Sequence, residues 1–474
     1  MIITFQEFQK HEADRAKWLG QAIAQYRRSE EYKIAQEADK YDQQLNTTIC
    51  NFIKMVYDIT GIPMPDFTSS NHRLASNFFH RFTVQRNSYL LGNGVSFASR
   101  KEELDDNGET IFIDTTKEAV GKSFDSTVMD AGLLAIQQKV SYTFYNDGDY
   151  AVFSMMEYMP IKDAESGKMR AGARFYSLDW NRMPITVELF EEDGISVYRT
   201  AEKKYGLGAL ELVQEKQAYK QYYEVTKDAG EQLVREENYP AFPVIELYGN
   251  KKKTSALIGM KPNIDAYDLI KSGFANDETD VAQIYWLISN ASGMNEDDVA
   301  KFRDRLLLQH VAVVDNHNAE ISVHSQEVPY SSREAALNRI ESDLYRDFGA
   351  VDVTKISGGQ SKTATEINAA FVPLDEEADE FEKQVTIYIK QILALIGIED
   401  EPVYKRNKIT NEKEVTEMIM LAADKLDDRT LLEKLPFVTV DEVSGIMARK
   451  LKEDTDAFGT EDNDEEDDNE SSEE

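Results

Sequence analysis

Residues 330–365 read YSSREAALNRIESDLYRDFGAVDVTKISGGQSKTAT, and this stretch decides how the chain is put together. Ser331 and Glu334 stand at capping-box spacing, and Leu337, Ile340, Leu344 and Phe348 make one apolar stripe at the helical period. Gly349 stops that pattern. Beyond it a polar loop of about fifteen residues separates this helix from the next, which is long for a compact domain and needs a functional reason. Gly358 and Gly359 accept many backbone conformations, and Ser357, Ser361 and Thr363 cost little to leave in water, so the loop is expected to be mobile.

Downstream, Ile367, Phe371, Leu374, Ala378, Phe381, Val385, Tyr388, Ile392 and Leu395 alternate in steps of four and three along a helix interrupted by Pro373. Such a seam wants a partner helix, which is more often found by core packing within the chain than at a subunit interface, and pattern alone does not decide between them. Short helices follow at 411–426, 430–435 and 441–451. Upstream, Pro262 opens a helix over 261–282 with apolar Ile264, Tyr267, Leu269 or Ile270, and Phe274, while Asp265, Asp268, Asn276, Asp277 and Asp280 hold other positions. Between this helix and the one at 330 lies a strand–helix–strand–strand insert: 284–288, 297–308, 311–314 and 321–323.

The first half reads as helix over 5–60, ending at Gly61, Pro63 and Pro65. Ser70 or Asn71 then caps a second helix through Leu74, Phe78, Phe82, Tyr89 and Leu90, broken by Gly92 and Gly94 before a strand at 95–97. From about 130 to 250 the period changes to two. Asn146-Asp147-Gly148-Asp149 marks one hairpin turn and residues 191–194 a second, with further strands near 210–225 and 242–248, giving an antiparallel, meander-like sheet. The fold class is therefore α+β, in several domains.

At 474 residues and 41% hydrophobic, the chain can bury ample core. Its longest apolar run, 392–398, is far too short to span a bilayer. The start, MIITFQEFQKHEAD, lacks a basic region followed by an apolar one, so the reading expects a soluble intracellular protein with no membrane partner. A single cysteine, Cys50, rules out an intramolecular disulfide framework and a cysteine-rich zinc site. Net charge is −34, of which −13 sits in residues 453–474, so the remainder still carries −21. The tail is expected to be disordered, because it has few apolar groups to bury and its charges repel. An acidic chain does not grip nucleic acid by neutralising phosphates, but it can let DNA slide past.

Catalytic chemistry is not legible. Asp315-Asn316-His317-Asn318 hints at a nuclease turn, yet His310 and His324 fall on strand-like runs. Gly358 to Thr363 lacks the phosphate-loop spacing and follows a helix rather than a strand. No catalytic, cofactor-binding or metal-binding residue is assigned.

Three stretches carry a resemblance. Tyr89-Leu90-Leu91-Gly92-Asn93-Gly94-Val95 ends a basic, Asn-bearing helix; residues 242–250, FPVIELYGN, form a Pro-hydrophobic strand ending in Asn; and residues 429–438 read RTLLEKLPFV. With the order of elements around them, they resemble the portal proteins of tailed bacteriophages, head–tail connectors of the siphophage type. The resemblance implies a wing at 1–260, stem helices at 261–282 and 330–350, and a clip at 283–329. It further implies a tunnel loop at 351–364, a long wing helix at 365–399, a crown at 400–453 and an acidic tail at 454–474. It implies a homo-oligomeric ring, typically of twelve subunits, with double-stranded DNA passing through its channel. Implied partners are the terminase large subunit, head-completion or adaptor proteins, and the major capsid and scaffolding proteins. The protein would be no enzyme and would need no cofactor. Lys355, Ser357, Gly358, Gly359, Gln360 and Lys362 are the candidates facing DNA from the loop, and Asp265, Asp268, Asp277 and Glu341 those of the stem channel. The competing readings are a metal-dependent nuclease or other nucleic-acid enzyme, opposed by scarce histidine, and a non-phage scaffold or adaptor.

Overall fold

The computed structural model describes residues 3–57, 61–66, 69–99, 101–104, 110–177, 184–200, 207, 210–226, 230–280, 285–289, 297, 301, 320–324, 330–357, 364–407, 412–435, 438, 442–443, 445–447 and 449–450. They form an α+β fold in two compact units. The first comprises Met1–Gln43, Asn77–Met260 and Tyr345–Glu474, and the second Gln44–Ser76 and Lys261–Leu344.

In the first unit, a six-stranded sheet runs Ile3–Thr4, Tyr158–Lys162, Met169–Tyr176, Thr186–Glu191, Gly194–Thr200, Leu210–Gln217. All neighbours are antiparallel except the first pair, which is parallel. The alternation in residues 186–198 explains one face: Val187, Leu189 and Tyr198 are buried there against Trp18, Leu19, Ile23 and Tyr32 of the helices Arg15–Tyr26 and Glu30–Asp42. A three-stranded sheet orders Val244–Tyr248, Val140–Asn146, Asp149–Ser154. Its hairpin turns at Asp147 (φ 50°) and Gly148 (φ 98°), the two left-handed positions that a two-residue turn of this kind requires.

The long helix Ala364–Ile396 lies in a second apolar cluster of this unit. Phe381, Val385, Tyr388, Ile392 and Leu395 are all buried there with Leu90, Phe124, Ala131 and Leu247. The four-three seam is therefore packed within the protomer and is not a free face for a neighbour. The expected interruption at Pro373 is also absent, since the helix runs through it for 33 residues. A mid-helix proline forfeits one backbone hydrogen bond, about 3 kcal/mol, and here Phe371, Leu374 and Ala378 offset it by packing with Tyr89 and Val351.

The N-terminal region is not one long helix. Helices Phe5–Lys10, Arg15–Tyr26, Glu30–Asp42 and Thr47–Cys50 are followed by a short antiparallel pair, Met55–Tyr57 with Pro63–Pro65. The third helix stops where Gln44 turns left-handed (φ 61°). Helix Leu257–Asp280 begins before Pro262, because the Ser255 hydroxyl accepts the Leu257 N–H at 3.1 Å and caps an earlier start.

Candidate functional site

The second unit is built on helix Leu257–Asp280, and its polar face organises the chain upstream. Residues 71–76, expected to be helical, are extended instead, and helix begins only at Phe78. Every second backbone N–H of this stretch is taken by a side chain four residues further back along the long helix. His72 donates to Asn276 Oδ1, Leu74 to Ser272 Oγ at 2.9 Å and Ser76 to Asp268 Oδ1 at 2.9 Å. The match is geometric: two extended residues advance about 6.6 Å, and four helical residues about 6.0 Å. Asp268 closes the ladder, its other oxygen accepting from Asn46 Nδ2 at 2.7 Å. Asn46 Oδ1 meanwhile caps helix Thr47–Cys50 through the N–H groups of Thr48 and Ile49.

Asp265 accepts from Lys261 at 2.7 Å and from Thr48 at 2.8 Å. Further along, Asp277 pairs with Arg333, and Phe274 meets Tyr330 edge-on at 5.5 Å. Glu341 sits near Tyr267, whose phenol is pushed up first by burial and then by the charges of Glu341 and Asp268. The start of helix Tyr330–Asp347 thus meets Phe274 and Asp277 near the end of helix Leu257–Asp280, while Glu341 further on meets the earlier Tyr267, so the two helices pair antiparallel in this unit. The stripe Leu337, Ile340 and Leu344 is half-buried to buried as its spacing requires.

Asp268 has no exposed surface in the protomer, and desolvation raises its carboxyl above the ordinary aspartate range against the pull of Asn46 and Ser76. A carboxyl raised on folding binds its proton more tightly in the native state. Its contribution to stability is fully present below the unfolded pKa and is lost as pH rises through the folded one. Asp268→Ala removes both this term and the ladder's last rung, a cost of about 1.5–3 kcal/mol. Thermal unfolding of wild type and variant, at about pH 7 and about pH 4, should show the wild-type advantage growing toward acid. An advantage that shrinks there would refute the assignment.

In the first unit, helix Phe78–Leu91 holds both sides of the candidate loop. At the entry, Gly349 ends the preceding helix at φ 64°, with Ala350 N–H on Tyr345 O at 2.9 Å and Gly349 N–H on Arg346 O at 3.2 Å. Gln85 then clamps Val351 at two points, Nε2 donating to its carbonyl and Oε1 accepting its N–H, each at 2.9 Å. At the exit, Tyr89 stacks on Phe371 at 5.8 Å and donates to Asp375 at 2.5 Å. Arg86, almost wholly buried, pairs with Glu377 at 3.0 Å. Arg406 reaches back to Asp375, Asp379 and Glu382. A Cβ on Gly349 would stand 3.0 Å from Pro373 O and from Glu377 Cγ, in addition to the left-handed penalty of about 1–2 kcal/mol. Gly349→Val should therefore cost at least that much, read as a lowered unfolding midpoint; an unchanged midpoint would show that the chain enters the loop by another route.

The loop also contains a short helix, Val353–Ser357, which periodicity did not suggest. Lys355 and Ser357 lie on it, while Gly358, Gly359, Gln360 and Lys362 fall outside the described residues. So do His310, His317 and the predicted helix and strand at 297–308 and 311–314, apart from Asp297 and Lys301. The insert's outer strands are seen as the antiparallel pair Tyr285–Ser289 and Glu320–His324. Among the described residues no group of three or more His, Cys, Asp or Glu could hold a metal ion, and no helix is long and apolar enough to cross a membrane.

The turn after helix Phe78–Leu91 shows why its glycines matter. Gly94 lies at φ 73° with Asp125 Oδ2 only 2.8 Å from where a Cβ would be, and Asp125 accepts the Val95 N–H at 3.1 Å. The strand Val95–Phe97 then pairs with Pro402–Tyr404. Comparison with known proteins turns this arrangement into an identification: the family model "Phage portal protein, SPP1 Gp6-like" matches residues 23–457. The chain belongs to the phage portal protein family.

A curated relative, the portal protein of Bacillus phage SPP1, is 22% identical over 406 residues, covering 81% of this chain and 76% of its own. The portal protein of Clostridium phage phiCD119 is 24% identical over 216 residues, 44% of this chain and 48% of that one. Among solved structures, a chain from the neck of a native GTA particle covers 76% of this chain and 89% of its own at 8% identity and a TM-score of 0.38, too loose a likeness to argue from. Membership in the portal family brings a structural role in a homo-oligomeric ring at the capsid vertex of the virion, with capsid and tail partners. Neither the nuclease nor the non-phage scaffold reading finds support in these matches.

Sequence reasoning missed Gln85, Tyr89 and Arg406 as holders of the loop's ends, and the Asp268, Ser272, Asn276 ladder. The spacing of four was visible in both helices. A polar stripe of that spacing ordinarily faces water, and nothing local distinguishes the two cases.

Proposed function

We propose that this portal protein forms a closed ring, typically of twelve copies, through whose axial channel double-stranded DNA is packaged and later ejected. The terminase large subunit docks on the ring during filling, and head-completion or adaptor proteins replace it afterwards. Major capsid and scaffolding proteins surround the ring, which assembles in the host cytoplasm. The chain itself catalyses nothing. The family match over residues 23–457 is the observation that carries this reading.

The stem helices Leu257–Asp280 and Tyr330–Asp347 and the loop at 351–364 are the parts proposed to meet DNA. The proposed lining is acidic, with Asp265, Asp277 and Glu341 as its candidate acids and Lys355 and Lys362 as sparse basic points; Asp268, also expected there from the sequence, is buried within the protomer and does not line it. Isolated cations interact transiently with phosphate, whereas a dense basic wall would hold it in place. Electron microscopy of the purified protein tests the assembly, and a closed ring with a central hole is expected. Native mass spectrometry that found monomers alone at capsid-assembly concentrations would refute it. A high-resolution ring whose pore is lined mainly by Lys and Arg would refute the acidic lining.

A further inference from the structure

A cavity of about 240 Å³ opens in the first unit between the start of helix Glu30–Asp42, the end of helix Phe124–Gln138 and the edge of the sheets. In a chain of net charge −34, its charged lining is Lys139, Lys162 and Lys253 with one carboxylate, Glu31. Lys162 is engaged, donating to Glu246 at 2.5 Å and to Tyr248 at 2.8 Å. Lys139 keeps only a long approach of 3.9 Å to Glu31, and the Lys253 ammonium lies over the Tyr248 ring at 4.1 Å.

Two independent features point to an occupant. Lys139 and Lys253 are both left-handed, at φ 99° and φ 56°, where glycine would sit without strain. The loop presenting Lys253 is fixed by Asn250, whose side chain donates to Thr254 O at 2.7 Å and accepts Thr254 N–H at 3.2 Å. Tyr142 lines the same cavity at 3% exposure, and its hydroxyl makes no hydrogen bond among the described residues. That hydroxyl is available to donate to an occupant of the cavity.

We propose that this cavity binds a small phosphate, inorganic or a phosphomonoester, held by the ammonium groups of Lys139 and Lys253 and by the Tyr142 hydroxyl as donor. At about 30 Å³ per water the space holds roughly eight waters, more than a bare phosphate needs. Two ammonium donors suit an anion as point charges. The site lies wholly within the first unit.

Full-length protein would be titrated with inorganic phosphate and with glycerol phosphate, by calorimetry and thermal unfolding, against chloride at matched ionic strength. A saturable rise in the unfolding midpoint is expected with phosphate alone. Lys253→Gly and Tyr142→Phe should each weaken binding by about tenfold or more, since each removes a donor to a charged ligand. Without phosphate, both variants should unfold at or above the wild-type midpoint, because one loses backbone strain and the other an unpaired hydroxyl. No rise beyond the chloride control would overturn the proposal, as would unchanged affinity in both variants. A short DNA duplex should leave phosphate affinity unaltered, and displacement by the duplex would overturn a small-molecule occupant.

Discussion

Phe82→Ala should be among the most destabilising single substitutions in this protein, at about 3–5 kcal/mol. The ring is 2% exposed and stacks on Phe348 at 5.5 Å, meets Tyr345 edge-on at 4.9 Å and lies 5.7 Å from Phe78. Removing it empties the space between helix Phe78–Leu91 and the last turn of helix Tyr330–Asp347, and forfeits three ring contacts that no neighbour can replace. Arg81 would still reach the Tyr345 hydroxyl at 2.8 Å, but one part-buried hydrogen bond contributes only about 1 kcal/mol. Denaturant unfolding followed by tryptophan and tyrosine fluorescence would read the loss. A change below about 1 kcal/mol would mean that the end of this helix is held elsewhere.

Removing residues 358–363 should leave ring assembly unchanged while packaged DNA falls to background. Both sides of the loop are anchored independently of it, Val351 by Gln85, and Phe371 and Asp375 by Tyr89, so the packed framework does not depend on the residues between. Their composition, two glycines among small polar residues, contributes little to a core. Electron microscopy would score rings, and quantification of nuclease-protected DNA in assembled particles would score packaging. Wild-type packaging, or loss of the rings, would each refute the proposed role. Truncation after Leu451 provides a contrast, since rings are expected to persist without the acidic tail.

Much of the architecture was legible because it is written locally. Asn146 to Asp149 dictates a two-residue hairpin whatever surrounds it, and Gly349 dictates a helix end, since only glycine takes φ 64° there without strain. The seam from Ile367 to Leu395 gave one buried helical face by its spacing alone, and the turn from Tyr89 to Val95 together with RTLLEKLPFV pointed to the portal family that the comparisons show.

What remained illegible depends on partners far along the chain. The seam could not say whether its partner was a neighbouring subunit or its own protomer; Phe124, Ala131 and Leu247 decide for the protomer. Residues 71–76 have helical caps and apolar spacing, yet they are extended because Asp268, Ser272 and Asn276, about two hundred residues later, offer acceptors at the repeat of an extended chain. Local propensity is worth only tenths of a kcal/mol per residue, and three backbone hydrogen bonds to a buried helix face outweigh it. The sequence by itself determined elements, turns and family membership, where neighbours in the chain set the energy. Tertiary structure alone decided the burial of Asp268, the clamping of the loop by Gln85 and Tyr89, and the cavity at Lys139, Lys253 and Tyr142, where the energy is set by groups that meet only on folding.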